Sequence, residues 1–194
     1  ERGAADPNGS NEGHAAHGDA TGRGDDHSAP IKGIDEWRSP HARNATPIAS
    51  DAVIDAVVMG RIEFGLALHR KLAERHPESA NLITSPHSLA HVLMMLRAGA
   101  AGTTAEALDR ALGLAGLDAQ DVHAAANRLD LALKRAADES GFDLHVANAH
   151  FVQAGYELQA PFLDTLAVHY GSGAFSVEFA NDPMGARERI NEWV

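Results

Sequence analysis

Two changes of hydrophobic rhythm divide the sequence, one near Ser50 and one near Phe142. Before Ser50 the apolar residues recur with no period. Residues 1–30 are largely Gly, Ala, Asp, Asn and His. Such a stretch buries too little apolar area to offset the backbone entropy of ordering, about 1–2 kcal/mol per residue. Residues 31–47 add a few apolar side chains and two prolines, enough for loose docking at most. Residues 1–49 are therefore read as a disordered, low-complexity tail, and the folded unit is placed at 50–194. From Ser50 the spacing becomes helical. Ile54, Val58, Ile62 and Leu66 form one stripe, with Val57, Leu68 and Leu72 beside it. Ser50 or Asp51 caps this helix and Pro77 stops it soon after His76.

The next signals are local. Residues 81–84 read as a short strand. Ser85 and Pro86 read as an N-cap followed by proline at the first helical position, and Leu89, Val92, Leu93 and Leu96 carry that helix to Gly99. Thr103 and Glu106 have capping-box spacing, opening a helix with Leu108, Ala111 and Leu112 that Gly113 ends. Another helix spans about 119–137, with Val122, Ala125, Leu129 and Leu133 inward. After Phe142 the period falls to two. Phe142, Leu144 and Val146 alternate with Asp143 and His145, and Phe175, Val177 and Phe179 alternate likewise, predicting two strands. Gly155 marks a turn between them, and residues 161–170 a short helix. Asp182 and Pro183 open a last helix on which Ile190 and Trp193 share a face. Val194 falls inside that helix with no cap, an end that reads as a cut.

Composition excludes several function classes. A formal charge of −11 repels phosphate backbones and anionic lipid, so neither nucleic acid nor membrane is an expected partner. The absence of cysteine removes disulfides, thiolate metal sites and a cysteine nucleophile. No apolar run approaches the roughly 18–20 residues that span a bilayer, and no signal peptide is visible in a chain that starts at Glu1. Eight of the ten aromatic residues lie from Phe142 onward, which predicts a denser core toward the C-terminus.

Four histidines, His14, His17, His27 and His41, lie in the tail among Asp19, Asp25 and Asp26. A flexible tail cannot hold ligands at fixed geometry, so no metal and no cofactor is expected. Asn8 and Asn44 sit in glycosylation sequons, and Arg23-Gly24-Asp25 forms an integrin-type tripeptide; chance in a Gly/Asp-rich tail accounts for the tripeptide. Arg128, Lys134 and Arg135 share a helix with Asp121, Asp130, Asp138 and Glu139, a solvated face rather than a basic patch. Neither a Gly-x-Ser-x-Gly elbow nor a phosphate-cradling glycine loop is present, so the chain is not read as an enzyme.

Several ordered blocks carry a resemblance. Asn81-Leu-Ile-Thr-Ser-Pro-His-Ser-Leu-Ala, running on to Met95-Leu-Arg-Ala-Gly-Ala-Ala-Gly-Thr-Thr-Ala-Glu-Ala-Leu, is similar to the second-helix region of the serpins, the serine-protease-inhibitor superfamily. Ala147-Asn-Ala-His-Phe-Val resembles the serpin "ANALFV" strand, and residues 159–170 the helix after it. Val177-Glu-Phe resembles the "V-D-F" strand, and residues 186–194 the "A-x-x-x-I-N-x-W-V" helix. The likeness covers roughly residues 50–194. It departs from the pattern at His87 and His91, where apolar residues are more usual, and at Arg97; these changes are expected to loosen the region.

The resemblance implies an α+β serpin fold of three sheets surrounded by helices, present here only in its N-terminal half: helices A–F and the first strands of the central sheet. It implies that a full-length product inhibits a serine or cysteine protease as a suicide substrate. The protease cleaves an exposed loop, which inserts as an added strand and distorts the trapped enzyme. That reactive site would lie beyond this chain. The full-length molecule is expected to be a secreted, extracellular monomer. The site residues carried over are Asn81, Ser85, Pro86 and Ser88, at the shutter that controls sheet opening, and Asn148 on the following strand. A serine before a proline is by itself most often only a cap, and Asn148 is equally well read as structural. A non-inhibitory carrier, chaperone or storage serpin, or a non-functional truncated product, are the alternatives.

Overall fold

The computed structural model describes residues 34–78, 81–144 and 146–193. The tail readings for residues 1–33, with His14, His17, His27, the Asn8 sequon and the tripeptide at Arg23, lie outside the described residues, as do His145 and Val194.

The chain runs β1 (Asp35–Trp37), α1 (Asp51–Arg75), α2 (Pro86–Arg97), α3 (Gly102–Ala111), α4 (Ala119–Ser140), β2 (His150–Gln153), α5 (Ala160–Thr165) with a π-helical turn over Leu166–Tyr170, β3 (Ala174–Val177) and α6 (Pro183–Trp193). This is an α+β architecture, rich in helix with one small sheet. β3 is central: β1 pairs with it antiparallel, with Asp35 opposite Ser176, and β2 pairs with it parallel, with Phe151 opposite Phe175.

Successive residues of β3 face opposite sides, and each side has its own core. Ala174 joins a helical core of Val57, Ala90, Met94, Met95, Ala126, Leu166 and Tyr170. Phe175 and Val177 join Ile34 and Ala186, with Phe151 and Trp193 packed against them. The aromatic rings of this second core stack at 5.3 Å between Phe151 and Phe175, and Trp193 meets Phe151 edge-on. Only Phe151, Phe175 and Trp193 of the C-terminal aromatics build this layer; Phe162 and Tyr170 join the helical core, and Phe142, Tyr156 and Phe179 are exposed, so the larger core is the helical one and not the C-terminal one the aromatic count predicts.

Several helix ends follow their sequence signals. Ser50 caps α1, its hydroxyl accepting from the Val53 amide at 3.3 Å. Asp118 caps α4 by accepting from the amides of Gln120 and Asp121, and Gly141 ends it in the left-handed region at φ 72°. Asp182 caps α6 through the Gly185 amide.

Other expectations are corrected. The first is the tail boundary at residue 49. Residues 34–49 strap across the body: Asp35–Trp37 adds a strand to β3, and the Asn44 amide donates to the Val168 carbonyl at 2.9 Å. Ser39 Oγ donates to Asp164 Oδ1 at 2.6 Å, and Arg128 donates to the Ala49 carbonyl. Polar side chains do the anchoring, so a count of apolar residues could not find it. The second is the stripe on α1. Ile62 and Leu66 are 50% and 54% exposed, while Val57, Gly60 and Gly65 are the buried positions. Small residues win because backbones meet there: a Cβ on Gly113, itself at φ 68°, would lie 2.9 Å from Gly60 Cα.

The third concerns the capping box at Thr103. α3 starts two residues earlier, with Ala101 at the N-cap and no side-chain cap, so Thr103 falls inside the first turn. The fourth is strand length. Residues 81–84 and 142–144 are irregular, with Ile83 95% and Phe142 56% exposed. In the parallel register His150 lies opposite Ala174, so the alternating residues before it run alongside the Gly171–Gly173 turn, which offers no ladder.

Candidate functional site: the start of the second helix and the histidines beneath it

Proline at the first position of α2 leaves its capping to Ser85. The Ser85 hydroxyl accepts from the Ser88 amide at 3.4 Å and bonds the Ser88 hydroxyl at 3.0 Å. The two hydroxyls thus pair with each other at an exposed helix start. Pro86 packs under α1, where a Cβ on Gly65 would lie 2.9 Å from Pro86 Cβ. Asn81 is exposed in the irregular segment ahead of the cap, and Asn148 is half-buried two residues before β2 rather than on the strand. Ser85, Pro86 and Ser88 therefore form one local unit. Asn148 is not among the hydrogen-bond partners of either serine.

One turn into α2, the side chains become polar and buried. His91 is 5% exposed, on the face that also carries Ala90, Met94 and Met95. His87 lies one helical turn before it, with ring centroids 6.0 Å apart. A row of rings continues through the core. His91 meets Tyr170 edge-on at 5.1 Å, Tyr170 meets His123 at 5.7 Å, and His123 meets His169 at 6.0 Å. Tyr170 Oη and His123 Nδ1 pair at 2.7 Å. Burial pushes both His91 and His123 down to about 4 and pushes the Tyr170 hydroxyl well up, so this row is neutral at neutral pH.

Charge enters from the strap and from α4. Arg43 donates to Asp130 Oδ2 at 2.6 Å and to Asn127 Oδ1 at 2.9 Å, and Asn127 donates back to the Asn44 carbonyl. Lys134 approaches the same Asp130 oxygen at 3.8 Å. Burial raises the proton affinity of Asp130, but the Arg43 hydrogen bond and charge outweigh it and hold the carboxyl below its ordinary range. Arg61 of α1 is half-buried beside the cluster, and its Nη2 reaches Met94 Sδ at 3.4 Å. Three nitrogens here, His87 Nε2, His91 Nδ1 and Arg61 Nε, are buried without a hydrogen-bond partner. Next to them, α1, α2 and α4 enclose an open groove of about 650 Å³ with mostly apolar walls such as Val58, Leu66, Leu129 and Leu133.

The sequence flagged His87 and His91 only as departures from a pattern, and Asp130 only as a surface charge. Their spacing of four on a helix that buries its other positions was the available signal. The remaining members, Arg43, Asn127, His123, His169 and Tyr170, converge from distant segments and left no local mark. No helix among the described residues is long and apolar enough to cross a membrane.

Residues 59–194 match the family model described as serpin (serine protease inhibitor). Iripin-1 of Ixodes ricinus is 35% identical over 142 residues, which is 72% of this chain and 35% of that protein. Intracellular coagulation inhibitor 2 of Tachypleus tridentatus is 34% identical over 134 residues, 68% of this chain and 32% of that protein. Leukocyte elastase inhibitor of Equus caballus is 31% identical over 131 residues, 68% of this chain and 33% of that protein. The chain spans about a third of the length of these curated relatives.

Proposed function

The chain belongs to the serpin family, and from that premise we propose that it is the N-terminal scaffold of a serine-type endopeptidase inhibitor. In this reading the whole protein acts as a suicide substrate: its reactive loop, supplied by residues other than these, is cut and then inserts into a sheet. The present residues contribute the framework. They supply no nucleophile and no catalytic step, and the protease is the only macromolecular partner, met by a monomeric inhibitor outside the cell.

The observation that carries this reading is the parallel pairing of β2 with β3, which joins the Ala147–Val152 block to the Val177 block in one sheet. Those blocks were singled out separately in the sequence, 25 residues apart, and their pairing supports a common framework. The self-paired hydroxyls of Ser85 and Ser88 support a role for this turn as a latch. Neither serine is committed to a backbone group outside its own helix start, so both can bond an incoming strand.

The test uses the full-length reading frame, incubated with trypsin-like and elastase-like serine proteases and a papain-like cysteine protease. A covalent, SDS-resistant complex with at least one is expected. Cleavage of the loop without complex formation across the whole panel overturns the inhibitory reading in favour of a carrier or storage role. Replacing Ser88 by Ala is expected to raise the fraction of substrate-like turnover over complex.

A further inference from the structure

We propose that His87, His91 and Asp130 form a binding site for a divalent cation of the zinc class, bridging α2 to α4. The inference is independent of the inhibitory reading. Each of the three residues offers one ligand atom, and these atoms lie within 4.8 Å of one another. Zinc holds imidazole nitrogens at roughly 2.0–2.1 Å and carboxylate oxygens at roughly 2.0–2.2 Å, so tetrahedral donors stand roughly 3.3 Å apart. Imidazole and carboxylate rotations within their rotamer wells close the remaining gap.

The second observation is the state of the ligands. His91 is 5% exposed, and its Nδ1 has no hydrogen-bond partner; His87 Nε2 is likewise buried and unpartnered. A buried polar group left unpaired costs about 1–3 kcal/mol. Both nitrogens belong to side chains, one turn apart on the same helix, that each bring a ligand atom within 4.8 Å of the Asp130 carboxylate, so one cation bound there would relieve them. Burial also lowers the proton affinity of both rings, which leaves their lone pairs available at neutral pH. Asp130 is already oriented from outside: Arg43 and Lys134 both approach Oδ2, the outer-shell bracing that metal-ligating carboxylates usually have. Two nitrogens and one oxygen suit zinc and its first-row neighbours rather than calcium or magnesium.

Opposing charge sets the strength. Arg61 and Arg43 both bear on His91, so the site is weaker than a structural zinc centre with four committed ligands. Removing the Arg61 charge is therefore expected to tighten binding.

The experiment titrates the 194-residue chain with Co²⁺, read by its visible d–d absorption, and with Zn²⁺ by calorimetry. One equivalent is expected to bind, with the same affinity when the four histidines nearest the N-terminus in sequence are replaced (His14→Ala, His17→Ala, His27→Ala, His41→Ala). His91→Leu and Asp130→Asn are expected to weaken it at least about tenfold. Loss of binding in that four-histidine variant, with His91→Leu unchanged, overturns the proposal, as does the absence of any d–d band. Far-UV circular dichroism checks that His91→Leu is folded. If it is not, Arg61→Met decides: severalfold tighter binding supports the site, and unchanged or weaker binding overturns it.

Discussion

Arg43 and Asp130 are both largely out of water, with side chains 19% and 7% exposed, and their charged atoms are 2.6 Å apart. A pair in that position need not stabilise the fold against an apolar alternative, but removing one partner strands the other. Lys134 still lies 3.8 Å from Asp130, so Arg43→Ala is expected to cost about 3 kcal/mol, the lower end for breaking a buried pair, measured by urea unfolding. The loss should also free the strap, so that the Asn44 amide exchanges with solvent faster than the amides of α4. A matched apolar replacement of both residues should recover most of the stability. The histidines make a prediction of opposite character. His91 faces Asp130 and, on the positive side, Arg61, His87 and Arg43; His123 faces His169, Arg97, Asp109 and Asp118. For both, burial is the dominant cause, and the folded chain takes up the proton near 4 rather than at the ordinary 6.5. Above 6.5 neither state is protonated, so their contribution is fully present. Between 6.5 and 4 the unfolded chain binds the proton and the folded chain does not, so stability falls as pH falls, by roughly 1 kcal/mol per pH unit for each ring. The melting temperature should drop over that window, and His123→Phe should flatten part of the slope. A melting temperature that is constant from pH 7 to 4.5 contradicts the neutral, buried assignment.

At the scale of elements, the caps separate what a local pattern can and cannot reveal. Asp118→Ala is expected to cost about 1 kcal/mol, because its carboxylate satisfies two amides at the start of α4. Thr103→Ala should change stability by less than about 0.5 kcal/mol, because Thr103 lies inside the first turn of α3 and makes no cap bond. Chemical denaturation of the two variants side by side distinguishes an aspartate that caps from a threonine that only has the right spacing. The helices were legible for a physical reason: α1, α2, α4 and α6 announce themselves through caps, breakers and period, all of them short-range. Which face of α1 turns inward was not legible. Gly60 is buried by the close approach of the α3 terminus and Gly65 by Pro86 at the start of α2, and such contacts are properties of elements taken together. Strand lengths were misread for a related cause. Alternation in residues 142–146 states a preference, but a strand exists only where a partner offers hydrogen bonds.

Taken whole, the molecule is one sheet with a different core on each side, and its two edge strands, β1 and β2, each leave one side without a partner among the described residues. Ile48, Ile83, Phe142 and Tyr156 are 89%, 95%, 56% and 66% exposed. Open edges and exposed apolar side chains together favour association. The 194-residue chain is therefore expected to elute from a sizing column above its monomer mass of 20.5 kDa, increasingly so with concentration. A sharp, reversible, concentration-independent melt of monomer would contradict this. The family and the α+β class were readable in the sequence because several blocks appear in order. The buried polar cluster was not, since Arg43, Asp130 and Tyr170 meet only after the strap, α4 and the π-helical turn have been assembled.

The strap gives the assembly a mechanical handle. Residues 34–49 run along the edge of β3 and then lock onto α4 through Arg43 and Asn127. Tension applied at the N-terminal side of Ile34 is thus carried first by the β1 ladder and then by the Arg43–Asp130 clasp. A cargo or surface attached upstream would load the edge of the sheet before it strained any helix.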